Sequence, residues 1–185
     1  QEFIAYAKTK PGQLNVASVG TGSGQHLMGE LFNMMAGVKL HHVPYKGGSQ
    51  IITDLMGAHV HVSFSNANNA IPHVRSGKLK GLAITGDKRS AAVPDLPTYA
   101  EAGLPGYDPK NWQGMMAPAG TPQPIVAKLS GEIGRILQQP EVRERLASSG
   151  MEPFYTGPEK MAEQMKADYA ESAKVIKSAN IRVEQ

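Results

Sequence analysis

The chain has 185 residues, 41% hydrophobic and 19% charged, enough for one sizeable core or two small lobes of a globular protein. Its net charge is +3, with basic residues scattered and only six Tyr and four Phe; a nucleic-acid binder needs a basic stripe with stacking aromatics, so a mild bias toward a small anion is the better reading. There is no cysteine, which excludes disulfides and thiolate chemistry and suits cytosol and periplasm alike.

The longest apolar runs are far too short to span a bilayer. No signal peptide is visible, and the chain opens at Gln1 without Met, so a processed or truncated product is expected. A short helical piece over 2–8 is closed by Pro11-Gly12. A strand is predicted over 14–19, where Leu14, Val16, Ala17 and Val19 form an apolar run. The cluster Gly20-Thr21-Gly22-Ser23-Gly24 follows at once. A helix over 24–36 then keeps Leu27, Met28, Leu31, Phe32 and Met35 on one face, stopped by Gly37. Next come a strand over 38–43, the turn Pro44-Tyr45-Lys46-Gly47-Gly48, and a helix over 49–56 closed by Gly57. A third strand, 59–64, alternates Val60, Val62 and Phe64 with His59, His61 and Ser63. The polar loop 65–69 leads to a short helix over 70–76 and a fourth strand over 79–85.

Residues 87–109 are rich in Pro, Gly and charge and read as a connector, with a short helix over 98–102. Residues 112–117 are strand-like. A long helix then opens with Thr121 as N-cap and Pro122 at its first position. Ile125, Val126, Leu129, Ile133, Ile136 and Leu137 give it a continuous apolar stripe. A shorter helix starts at Pro140 and ends at Gly150. A last one, 158–177, opens with the capping box Thr156-Gly-Pro-Glu159 and keeps Met161, Met165, Tyr169 and Ile176 on one face. The methionines (Met28, Met34, Met35, Met56, Met115, Met116) read as core filler.

Alternation of strand and helix implies a mostly parallel sheet with right-handed crossovers. Its loops 20–24, 44–48 and 65–69 all follow the carboxyl ends of strands, the edge where open α/β sheets bind ligands. The first loop joins free backbone N–H groups, the positive end of a helix dipole and the hydroxyls of Thr21 and Ser23, which together suit an anion. The same residues also read as a turn that only starts a helix. Three other motifs fail on inspection. A phosphate loop needs Lys after Gly24, a dinucleotide fingerprint needs Gly in place of Gln25, and a nucleophile elbow needs Gly in place of Thr21.

The runs VGTGSGQHLMGELF, HHVPYKGG, IPHVRSGKLKGLAITGDKRSAAVPDLPTYAEAGLPGY and MMAPAGTP, in that order, resemble the Bug receptors, the extracytoplasmic solute-binding proteins of tripartite tricarboxylate transporters. The resemblance runs over essentially the whole chain. It implies an α/β, type II periplasmic-binding-protein-like lobe with a mostly parallel sheet and C-terminal helices. It further implies a periplasmic location, a small organic carboxylate as ligand (a di- or tricarboxylate, an acidic amino acid or an aromatic acid) and a membrane permease as partner. Residues 1–110 match the second ligand-binding lobe; 111–185 would be the hinge-return strand and the helices that complete the first lobe. The family's opening strand and its Pro/Gly-rich loop have no counterpart here, which leaves half a site.

By that resemblance Thr21, Gly22, Ser23 and Gly24 hold a ligand carboxylate. His26, in the first turn of the helix, donates toward the ligand or caps its own turn. Tyr45 offers a phenol or a wall, and Gly47 a close backbone approach; Lys46 is a solvated charge by preference. Ser65 and Asn66 supply neutral donors, against a plain turn role for Asn. His41, His42, His59 and His61 invite a metal, but no carboxylate or Cys completes a set, so they read as exposed or satisfied strand histidines; His73 reads as structural, and Trp112 as core. No metal, cofactor or nucleic acid is expected. The leading function is carboxylate capture by lobe closure without chemistry. The alternatives are an isolated or domain-swapped interaction module, and a doubly wound enzyme on anionic substrates, for which no nucleophile–base pair is found.

Overall fold

A computed structural model describes residues 1–109 and 111–182. The chain runs α1 (Glu2–Thr9), β1 (Asn15–Ser18), α2 (Gly24–Ala36), β2 (His41–Pro44), α3 (Gly48–Met56), β3 (Val62–Ser63), α4 (Ala67–Arg75), α5 (Gln123–Leu137), α6 (Pro140–Ser148) and α7 (Pro158–Ser178). The boundary expected at Lys110, and residues 183–185, lie outside the described residues.

The three strands form a parallel sheet in the order β2-β1-β3. Val16 faces His42 and Val62, and Ala17 faces Val43 and Ser63. Because side chains alternate along a strand, β1 feeds two faces. Val16 joins Leu14, Phe32, Phe64 and Tyr107 in the larger cluster, under α2. Ala17 joins Ile51 and Val60 under α3. A third cluster (Ile71, Ala92, Val93) seats the 84–98 segment on α4.

Helix α2 starts and stops where local chemistry tells it to. The Ser23 side chain accepts from the His26 N–H, and Gly37, at φ 63°, takes the left-handed C-cap and donates to the Asn33 carbonyl. Asn33 then ties the following turn through its side chain, which accepts from the Leu40 N–H at 3.0 Å. Tyr107 closes the cluster from the far end of the connector, its hydroxyl donating to the Met28 carbonyl at 2.9 Å. Helix α7 reaches back to α2, and the Trp112 indole donates to Asp168 at 2.6 Å.

Several expected elements differ. The fourth strand over 79–85 is not formed; Ile84 alone makes an isolated bridge to Thr98, and one paired residue is too short for a ladder. The strand-like 112–117 stretch has no partner ladder and stays irregular. The second strand shifts to 41–44, and the third shortens to Val62–Ser63. The helix expected over 98–102 is a single turn, although Thr98 and Glu101 bond each other's N–H as a capping box would. Helix α5 starts one residue late, with Pro122 at the cap and the Thr121 hydroxyl donating to the Pro118 carbonyl. Gly157, not Thr156, caps α7. Met34, Met35, Met56, Met115 and Met116 are exposed rather than core, since they fall on faces that nothing among the described residues covers. On the α5 stripe Ile125, Leu129 and Ile136 are exposed while Val126, Ile133 and Leu137 are half-buried, and Trp112 is also only half-buried.

Candidate functional site

The loop between β1 and α2 takes a shape that depends on glycine. Gly20 and Gly22 have φ of 127° and 79°, which L side chains rarely adopt. The N–H groups of Gly20, Gly22 and Ser23 are all engaged: Gly20 on Ser18 Oγ at 3.2 Å, Gly22 on His26 Nδ1 at 3.1 Å, and Ser23 on the Gly20 carbonyl at 3.2 Å. No acceptor faces the N–H groups of Thr21, Gly24 or Gln25 among the described residues, and Thr21 and Gly24 are exposed. The loop therefore offers three free donors at the positive end of α2, with the Thr21 and Ser23 hydroxyls beside them. That set can hold a carboxylate without a cationic partner.

Beneath the loop lie residues the sequence left scattered. Ser18 is fully buried at the end of β1, and its Oγ sits 2.6 Å from His42 Nε2. The His42 ring stacks on His26, with centroids 3.6 Å apart and planes 6° from parallel. Burial, and then the neighbouring His26 and His41, push His42 down to about 4. Burial also lowers His26, against the pull of Glu30, whose carboxylate lies 3.7 Å from Nε2. Both rings are neutral at pH 7. Gln25, also buried, leaves its side-chain oxygen without a partner among the described residues.

The second and third loops come to the same sheet edge but are partly occupied. The Tyr45 N–H pairs with the Ser18 carbonyl at 2.8 Å, which brings loop 44–48 beside the first. Its phenol turns away and donates to Asp54 at 2.6 Å, a bond that lowers the carboxyl and raises the phenol. Gly47 caps α3 in an extended conformation and leaves the helix start open. A shallow hollow of about 300 Å³ lies here, lined by Tyr45, Ser49, Gln50, Thr53 and Asp54. Ser65 donates to Ser63 at 3.1 Å, and Asn66 accepts from Asn111 at 2.9 Å. Asn69 lies close to Gly48, so the second and third loops are neighbours.

The first loop thus brings Thr21, Gly22, Ser23, Gly24 and His26 together, with Gly22 turned inward. Tyr45, Gly47, Ser65 and Asn66 stand along the same edge. Two histidines expected on the third strand lie outside it and make local contacts: His61 accepts from the Asn15 N–H at 2.9 Å, and His59 lies 3.5 Å from Asp54. Sequence reading missed Ser18 and Asn111. The only sign of Ser18 was a small polar residue in an apolar strand, and Asn111 carried no sign at all.

The family model described as "Tripartite tricarboxylate transporter family receptor" matches residues 1–181. The BugT protein of Bordetella pertussis is 36% identical over 157 residues, 85% of this chain and 48% of that protein. The solved structure of R. palustris Rpa4515 with adipate superposes with a TM-score of 0.90 at 36% identity, over 97% of this chain and 60% of the other. MatC from Rhodopseudomonas palustris with bound malate gives a TM-score of 0.81 at 35% identity, over 95% and 60%. The chain spans about half the length of the curated relatives it matches. Its α/β fold with a parallel sheet is that of the matching periplasmic binding proteins.

Proposed function

Because the chain belongs to the tripartite tricarboxylate transporter receptor family, we propose that it is a lobe of a periplasmic receptor that captures a small organic carboxylate for a membrane permease. The observation that carries the reading is the first loop: three free N–H groups and two hydroxyls at the start of α2, with no catalytic side chain among them. Neutral donors bind a carboxylate and release it without chemistry, as a transport receptor needs. The structural relatives Rpa4515 and MatC are solved with adipate and malate, and a dicarboxylate gives this loop one end to hold.

Thr21, Ser23 and Gly24 make the direct contacts in this reading, with Gly22 and His26 shaping the loop. Gly47, Ser65 and Asn66 border the second end of the ligand, and Tyr45 forms a wall. Residues 1–110 make the lobe, and 111–185 make the return and the helices that dock on the remainder of a longer protein. The uncovered α5 side chains Ile125, Leu129 and Ile136 suit that docking. A location outside the cytoplasm fits the family, and no described helix is long and apolar enough to cross a membrane.

Calorimetric titration with adipate and malate, against phosphate as control, tests the reading. Losing two of the charge-assisted hydrogen bonds in a Thr21→Ala, Ser23→Ala double variant should weaken carboxylate binding by roughly 10-fold or more. Equal affinity of the variant and the parent would remove this loop from the site. The same titration on a chain extended to the full length of the relatives should give the tighter binding of a closed cleft.

A further inference from the structure

The Ser18–His42–His26 chain of contacts, with Ser18 and His26 buried and His42 half-buried, begins and ends on the ligand loop. Ser18 Oγ holds both polar groups of Gly20, accepting from its N–H at 3.2 Å and lying 3.0 Å from its carbonyl. His42 Nε2 meets the same oxygen at 2.6 Å, and its ring lies flat on His26. His26 Nδ1 accepts the Gly22 N–H at 3.1 Å. The two pinned glycines bracket Thr21, which is exposed and whose N–H and hydroxyl face no acceptor among the described residues. The pins therefore turn Thr21 outward and hold the Gly22 N–H inward.

One protonation state sustains this. Nδ1 accepts from Gly22 only while it carries no proton, so the neutral His26 bears its hydrogen on Nε2, toward Glu30. Two stacked imidazoles at 3.6 Å cannot both be cations without strong repulsion. The titratable groups facing the pair are Glu30 on α2, beside His26, and His41 on β2, beside His42. Glu30 favours a proton on His26, whereas His41 opposes one on His42.

We propose that Ser18, His42 and His26 are positioning residues that present Thr21 to the carboxylate while both rings are neutral, so that acid releases the loop and its ligand. This rests on the carboxylate reading of the loop, and the following measurements separate the two. Long-range proton–nitrogen spectra of the free chain read the tautomer of His26. The Thr21 and Gly22 amide signals read the loop, with no ligand needed. The expected result is an Nε2–H tautomer at neutral pH, and amide shifts that follow His26 protonation on acidification. In His26→Asn the amide oxygen takes the place of Nδ1 and does not titrate, so the same signals should stay put.

Malate affinity is then compared between parent and His26→Asn from pH 7 to 4.5; the ligand's own ionisation cancels in the ratio. The parent should lose about 10-fold more affinity than the variant over this range. His26→Ala should bind more weakly at every pH, and His26→Asn should restore neutral-pH binding. A proton on Nδ1, amides that ignore His26 titration, or superimposable pH profiles would overturn the proposal. If neither protein binds malate or adipate at pH 7, the carboxylate reading of this chain falls, and the tautomer and amide data alone decide the relay.

Discussion

Helix α3 presents Ile51 and Ile52 to the sheet, 1% and 8% exposed, whereas α5, with a longer apolar stripe, leaves Ile125 and Leu129 each 49% exposed. The contrast extends to the two halves of the chain. Every buried apolar side chain among the described residues lies between Ala7 and Tyr107, and α6 and α7 bury none. An amphipathic pattern states that a helix needs a covering surface; whether one is present depends on the rest of the fold. Helix α3 has a sheet against it. Helix α5 packs on α6, and Tyr155 lies against it, its hydroxyl pairing with Ser130 at 2.9 Å.

The strongest way to break this comparison is a pair of truncations. Phe32 touches Phe3, Phe64 and Tyr107, so Phe32→Ala should cost about 3–5 kcal/mol in urea unfolding. Leu129→Ala, on the open face of α5, should stay within about 0.5 kcal/mol. Equal costs would mean that α5 is packed after all.

Acid should strike the first half next. His42 and His26 have folded values below the usual imidazole range, so the unfolded chain takes up protons first. Their contribution is fully present above about pH 6.5 and is lost as pH falls toward the folded value of about 4 for His42. With a discount for the partly exposed ring, thermal melts should register about 1–2 kcal/mol of lost stability, flattened in His42→Gln. A melting temperature that holds steady through this window would contradict the stacked neutral pair.

Helix caps give a smaller contrast. Ser23 bonds the His26 N–H and Thr156 makes no cap bond, so Ser23→Ala should cost about 1 kcal/mol and Thr156→Ala almost nothing. Smallest of all is the exposed Arg135–Glu132 pair at 2.8 Å on α5. Its loss in Arg135→Ala should fall within about 0.5 kcal/mol and fade with salt.

The parts of the fold that could be read in advance are those set by neighbours in sequence. The apolar run, the Gly-rich cluster and Gly37 together placed β1, the loop and α2 almost to the residue, because caps and turns act over three or four positions. Residues 79–85 show the opposite case. They look like a strand, but a strand exists only with a partner ladder, and Ile84 alone finds a partner, at Pro97 to Tyr99. The candidate site divides the same way. Thr21, Ser23 and Gly24 were visible as a loop at a helix start. The engagement of the Gly22 N–H, and the contacts of His42 with Ser18 and His26, were not, since those partners are separated by up to twenty-four residues.

The sequence by itself determined the order of helices and turns, the family and the edge of the sheet that carries the polar loops. Periodicity, glycine placement and motif order are all local records. Only the tertiary structure decided which N–H groups of the first loop are free, which imidazoles are neutral and which apolar stripes are covered. Each of those depends on what lies across space, and a hydrogen bond, a desolvated ring or a buried face belongs to two segments at once.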